Sequence, residues 1–227
     1  TSNGTLDTSF GNNGELVLNY PVYNDTSLAI QSDNKIVLVG THSDANNFYT
    51  DVFRVLPNGQ LDNTFGNNGM VSIPDLYYDL NAAGIGLLLQ NNKIILYTHS
   101  SQNQSDYFIY RLNSNGSIDS SFGNNGLITY NNVFPFINGG YYTFKTAVQH
   151  DYKIIIMGLQ QNNTFNNAYW IARLQPDGAL DPSFNGTGYK DVTFGSVQDR
   201  ATCVALQADG KILLGGTSGN TAQFFSV

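Results

Sequence analysis

Short apolar runs separated by polar turns dominate this chain, and none keeps a helical period. The clearest are "IVLVG", "IILYT", "IIIMG" and "ILLGG", continuous aliphatic or β-branched runs that predict strands buried on both faces. Each follows a tight polar turn ("SDNK", "NNK", "HDYK", "ADGK") whose Asp-Asn, Asn-Asn and Asp-Gly pairs tolerate the positive φ of hairpin turns. Ahead of each turn lies another apolar run ending in glutamine ("LAIQ", "LLLQ", "TAVQ", "VALQ"), at Gln31, Gln90, Gln149 and Gln207.

A further run, "DVFRVL", "YFIYRL" or "YWIARL", turns back through "PNG", "SNG" or "PDG" into a polar, glycine-rich sentence that the chain writes four times. The copies are "TLDTSFGNNG", "QLDNTFGNNG", "SIDSSFGNNG" and "ALDPSFNGTG"; aligned on Leu6, Leu61, Ile118 and Leu180, they lie 55, 57 and 62 residues apart. A short β-rich stretch follows each copy: "GELVLNY", "GMVSIPD", "GLITYNN" and "GYKDVTF". Counting from that stretch, every unit predicts four short antiparallel strands and no helix. Four-stranded units at this period, each with a doubly buried strand, are what stacked propeller blades require. The expected fold is therefore all-β, a single β-propeller domain over 1–227 with units of approximately 1–55, 56–112, 113–174 and 175–227.

The chain ends at "FFSV", partway along a fourth strand, and begins in the turn that follows such a strand. Pairing strands two to four of each unit with strand one of the next would let the N-terminal strand complete the last blade and close a four-bladed ring. Four units of a longer array are the alternative.

The ordered pattern LDxSFGxxG, QxDGKI and xARLxPDG, best kept in residues 168–181 and 206–216, resembles the delta-60 repeat family over essentially the whole chain. That resemblance implies a propeller-like domain of large exported bacterial surface proteins and no catalytic residues. The second unit departs from it with the shortened turn at Asn91 and with Thr98 in place of a glycine; the fourth departs with "FNGTG".

Composition narrows the function classes. The 41% apolar content can fill a core, while only 12% of residues are charged and the formal net charge is −7, which argues against a nucleic-acid partner. No run approaches the roughly 20 apolar residues of a bilayer span, so membrane insertion is not expected. Thr1 rather than Met opens the chain, which leaves a removed leader open. The single cysteine, Cys203 in "CVALQ", reads as a small buried hydrophobe rather than a nucleophile.

Asp7, Asp62, Asp119 and Asp181 recur in the glycine-rich sentence, and Arg54, Arg111 and Arg173 in the fourth strand. They are either metal-binding or catalytic carboxylates, or braces that hold a turn and pair with the preceding arginine. Repetition favours the brace, because a site needs different groups converging whereas a scaffold needs the same support in every blade. Lys35, Lys93, Lys153 and Lys211 also recur, leaving only Lys145, Lys190 and Arg200 outside the pattern. The sentence then reads as the joint between blades, plugged by Phe10, Phe65, Phe122 and Phe184, and Trp170 as blade core.

Binding should be written where the units diverge: "YPVYNDTS", "PDLYYDLNAAG", "NNVFPFINGGYYTF" and "FGSVQDRAT". Tyr20, Tyr23, Tyr77, Tyr78, Tyr141 and Tyr142 there suit stacking on sugar rings or docking on protein, with ordinary packing between blades as the competing reading. A second divergent set, "SDANNFY", "SQNQSDY" and "QQNNTFNNAY", is expected as solvated loops at another rim. His42, His99 and His150 occupy non-equivalent positions, and no HExxH, GxSxG or phosphate-loop motif is present, so no enzyme is expected. No cofactor is expected either; EF-hand spacing is missing, and a calcium site of Asp and carbonyl groups in an Asn-rich loop stays open. The resulting expectation is an extracellular or cell-surface, non-catalytic adhesion module for a glycan or protein, with further domains in a larger parent chain. The alternative is a structural spacer or assembly subunit.

Overall fold

The structure, a computed structural model, describes residues 1–20, 23–44, 47–74, 86–99, 107–129, 145–161, 167–192, 199–218 and 224–226. Its strands form four antiparallel sheets. The first holds β1 (Tyr23–Ile30), β2 (Ile36–Ser43), β3 (Phe48–Val55) and β4 (Met70–Pro74). The second holds β5 (Gly86–Gln90), β6 (Lys93–His99), β7 (Tyr107–Leu112) and β8 (Leu127–Thr129). The third holds β9 (Lys145–Val148), β10 (Ile154–Gln161), β11 (Asn167–Leu174) and β12 (Tyr189–Val192). The fourth holds β13 (Asp199–Leu206), β14 (Ile212–Ser218) and β15 (Phe224–Ser226).

Sheet order follows chain order, and in the first three sheets the outer strand comes from the start of the next unit, as the repeat predicts. The corresponding stretch of the first unit, Leu16–Asn19, belongs to no strand, and among the described residues β15 pairs with β14 alone. Each sheet touches the next through its first strand: β1 meets β5, β5 meets β9 and β9 meets β13. The first and fourth sheets share no contact among the described residues. This is a propeller-like succession of blades.

Alternation along the strands sets the packing. Val37, Val39 and Val52 of the first sheet bury against Leu87, Ile94, Leu96, Phe108 and Leu112 of the second, with Phe65 between them. Ile95, Ile109 and Ile128 on the second sheet's other face bury against Ile154, Ile156, Trp170 and Leu174 of the third, with Phe122 in the same position as Phe65. Trp170 fills the core as predicted, and Gly158 lies against its ring because any Cβ there would come 2.3 Å from Cζ2. The third-strand prediction of double burial holds in full for β10, where residues 154–157 are all buried. It fails for β14, whose apolar residues are only half-buried, since among the described residues no sheet covers its second face. Cys203 sits on that uncovered face and is exposed, which corrects the expectation of a buried hydrophobe.

The antiparallel order divides each sheet into two unlike ends. At one end lie the glutamine turns and the glycine-rich joints; at the other, β2, β6 and β10 finish, β3, β7 and β11 begin, and the outer strands leave for the next blade. Both divergent sets of connections therefore spring from this same end, whereas the sequence pattern placed the Asn-rich set at another rim. The reason is parity: in a four-strand antiparallel sheet the last strand returns the chain to the end at which the second strand finishes.

Candidate functional site

The repeated carboxylates build one brace three times. Asp119 Oδ1 accepts the Ser121 amide at 3.2 Å and its hydroxyl at 2.7 Å, closing a local turn, while Oδ2 accepts Arg111 Nε at 2.6 Å and Lys93 Nζ. Asp62 does the same with Thr64, Arg54 and Lys35, and Asp181 with Ser183, Arg173 and Lys153. Each guanidinium also lies over the joint phenylalanine, 4.4 Å from the ring centre for Arg111 and Phe122. Phe65 and Phe122 are fully buried plugs; Phe10 and Phe184, in the outermost joints, are half-buried.

The brace reaches across blades. Arg54 donates to the carbonyl of Ser114, in the turn that follows β7 of the second sheet, and Arg111 to that of Pro176, in the turn that follows β11 of the third. Beside them Gly66 N donates to Asn115 O at 2.9 Å and Gly123 N to Asp177 O at 2.9 Å. Among the described residues Asp7 accepts only the turn hydrogen bonds of Ser9 at its carboxylate, and it is exposed.

Burial opposes ionisation of Asp62, but the Thr64 hydroxyl and amide, Lys35 and the Arg54 charge together hold its carboxyl well below the usual range. Asp119 is balanced in the same way, burial against Lys93, Ser121 and Arg111. At Asp181 the Ser183 hydroxyl is the largest influence, and the net direction is again strongly down. A cavity of about 380 Å³ beside this brace is lined by Gln90, Arg111, Tyr152 and Pro176, but its arginine already serves Asp119, Gln90 and Pro176. Among the described residues no three His, Cys, Asp or Glu side chains gather into a metal-ligand group.

The divergent end of the first sheet holds a different cluster. Asp51, fully buried, accepts the Ser72 hydroxyl at 2.6 Å and pairs with His42 Nδ1. The His42 ring stacks on Tyr49 with centres 4.6 Å apart, and Tyr20 meets it edge-on at 5.1 Å while also touching Phe53. Tyr49 donates to Asp44 Oδ2 at 3.0 Å. Burial and the Asp51 charge push the Tyr20 phenol up; at Tyr49 the Asp44 hydrogen bond leads in the same direction.

Sequence reading did not anticipate this cluster, although one signal was available. Asp51 stands three residues before Arg54, where Phe108 and Trp170 stand before Arg111 and Arg173. A carboxylate in place of a buried aromatic demands a partner. Of the tyrosines singled out, Tyr20 joins the cluster, Tyr23 opens β1 opposite Thr41, and Tyr77, Tyr78, Tyr141 and Tyr142 lie outside the described residues.

Comparison with known proteins places these units. Residues 31–65, 89–122 and 149–184 match the family described as "Domain of unknown function (DUF5122) beta-propeller". Each matched span runs from the region of the glutamine turn to the phenylalanine of the joint, the portion that carries the brace. Among solved structures the chain is similar to "Crystal structure of polysaccharide lyase Uly1", at 9% identity and a TM-score of 0.44. The similarity covers 89% of this chain and 49% of that one, so the chain spans about half of that protein's length. No curated protein matches.

Proposed function

We propose that this chain is a non-catalytic β-propeller module of the delta-60 type, displayed at a bacterial cell surface, that binds a glycan or a protein at the divergent end of its blades. The observation that carries this reading is the division between the two ends. The Asp62, Asp119 and Asp181 braces all hold joints at one end, and both sets of connections that differ between units spring from the other. A scaffold that repeats its support and varies only one rim is organised for recognition.

Aromatic faces beside amide and carboxylate groups suit sugar rings and protein surfaces alike, and the Tyr20, His42 and Tyr49 cluster already lies at that rim. The His42–Asp51 pair supports packing rather than catalysis. Asp51 is consumed by His42 and Ser72, and the imidazole is sandwiched between two tyrosines. The test is a binding screen of the purified chain on glycans and surface proteins, with and without calcium, beside a Tyr141→Ala/Tyr142→Ala variant. Binding that disappears in the folded variant supports the reading. Silence from both proteins, with and without calcium, favours a spacer or assembly subunit instead.

A further inference from the structure

An asparagine followed by glycine can modify itself, because the glycine amide, with no side chain to shield it, is able to close on the asparagine side-chain carbonyl. The chain contains eight such pairs, and seven lie within the described residues. In six of these the glycine amide is already engaged. Inside the joints Gly14 N donates to Phe10 O at 2.7 Å, Gly69 N to Phe65 O at 2.9 Å and Gly126 N to Phe122 O at 2.8 Å. In the turns Gly4 N donates to Thr1 O at 3.2 Å, Gly59 N to Leu56 O at 2.9 Å and Gly116 N to Asn113 O at 2.9 Å. The turn asparagines are pinned as well: Asn3 Oδ1 accepts the Thr5 amide, Asn58 Oδ1 the Gln60 amide and Asn115 Oδ1 the Ser117 amide.

The seventh pair, Asn185–Gly186, has neither guard. Among the described residues Gly186 N meets no acceptor and Asn185 Oδ1 no donor. Both residues are exposed, and a Cβ at Gly186 would meet nothing within 4 Å. The cause is local. Three joints write "FGNNG", and the amide of the first asparagine closes the turn: Asn12 N donates to Glu15 O at 2.7 Å, Asn67 N to Met70 O at 2.8 Å and Asn124 N to Leu127 O at 2.8 Å. The fourth joint writes "FNGTG", which puts Gly186 at that middle position. There the equivalent carbonyl, that of Tyr189, takes the Thr187 hydroxyl at 2.8 Å and Asn185 Nδ2 at 3.1 Å, and the Gly186 amide is left over.

We infer that Asn185 is a site of spontaneous deamidation, with water as the only co-reactant. The Gly186 nitrogen gives up its proton and bonds to Asn185 Cγ; the bond from Cγ to Nδ2 breaks, and Nδ2 leaves as ammonia, taking up a proton in place of the one released. The resulting succinimide is opened by water at either carbonyl, to an aspartyl or an isoaspartyl residue. Both products carry a new carboxylate next to Phe184, whose ring lies 5.0 Å from the Arg173 guanidinium, and the isoaspartyl form also adds a carbon to the backbone of this joint.

Peptide mass spectrometry tests this on the intact chain, incubated folded in mildly alkaline buffer and, in parallel, unfolded in guanidinium. Unfolded, the seven pairs should convert at similar rates. Folded, Asn185 should convert at least about five times faster than any of the other six, since an amide that must first give up its hydrogen bond is slowed about two- to tenfold. Asn185→Gly/Gly186→Asn/Thr187→Asn gives the fourth joint the sequence of the other three. That variant still has an asparagine before Gly188, but the Gly188 amide donates to Phe184 O at 2.7 Å, so fast conversion should disappear. Asn185 converting no faster than the six guarded pairs in the folded chain, or fast conversion persisting in this joint of a variant shown by circular dichroism to be folded, overturns the inference.

Discussion

Arg111 Nε donates to Asp119 Oδ2 at 2.6 Å, and the same guanidinium crosses to the carbonyl of Pro176 in the turn of the next sheet. One side chain thus fixes a turn within its own blade and the seam with its neighbour. Removing either partner leaves a buried charge uncompensated, which costs about 3 to 5 kcal/mol where the pair is well buried. Asp119→Ala should lower the unfolding free energy read from urea denaturation by an amount in that range, and Asp7→Ala, at the exposed copy of the same position, should leave it nearly unchanged. Equal effects at the two sites would contradict the brace.

The same carboxylates set the acid limit. Asp62, Asp119 and Asp181 have folded pKa values held below their unfolded ones, so their stabilisation is complete above the unfolded carboxyl pKa of about 4 and is lost as pH falls below it. Melting temperature should stay level from neutral pH to about 5 and then drop steeply. In Asp62→Asn/Asp181→Asn the neutral-pH value should be lower and the acid slope shallower. Thermal melts across pH read both.

Gly123 has φ +54, and a Cβ there would stand 2.5 Å from the Leu127 carbonyl oxygen. Gly123→Ala combines a strained backbone with a clash against backbone, which should cost about 1 to 3 kcal/mol. Gly186, at the same sentence in the fourth unit, meets nothing within 4 Å, so Gly186→Ala incurs only the φ +79 strain and should cost less. Chemical denaturation of the two variants compares them directly.

Asp51→Ala strips His42 and Ser72 of their shared acceptor inside the first blade. Leaving those donors unsatisfied should cost about 2 to 3 kcal/mol. The double change His42→Gln/Asp51→Trp removes the buried carboxylate, copies the Gln160 and Trp170 of the third blade and should recover part of that loss, as a scaffold reading demands.

Much of the fold was legible because the repeat states it four times: the strand order, the exchanged outer strand, the plugs at Phe65 and Phe122 and the Asp62–Arg54 brace all follow from position alone. The sequence could not show that both divergent sets share one end, since that depends on the parity of strands in a sheet rather than on any residue. Cys203 was misread for a related reason: its apolar neighbours announce a strand, but burial depends on whether a further sheet covers it. The His42–Asp51 pair stayed hidden because the residues lie nine apart on two strands and only their register brings them together.

The division of labour between the two ends is the central claim, and one comparison of affinities tests it. Against any ligand retained by the screen, dissociation constants are measured for the unaltered chain, for Tyr141→Ala/Tyr142→Ala in the divergent sequence that links β8 to β9, and for Tyr152→Asn at the braced end. Tyr152 is 46% exposed, and Asn34 already serves at its position in the first blade, with the same φ of 64°. The account predicts affinity reduced at least tenfold by the first variant, a loss of about 1.4 kcal/mol, and unchanged by the second. Binding lost with Tyr152→Asn and kept with Tyr141→Ala/Tyr142→Ala would contradict it.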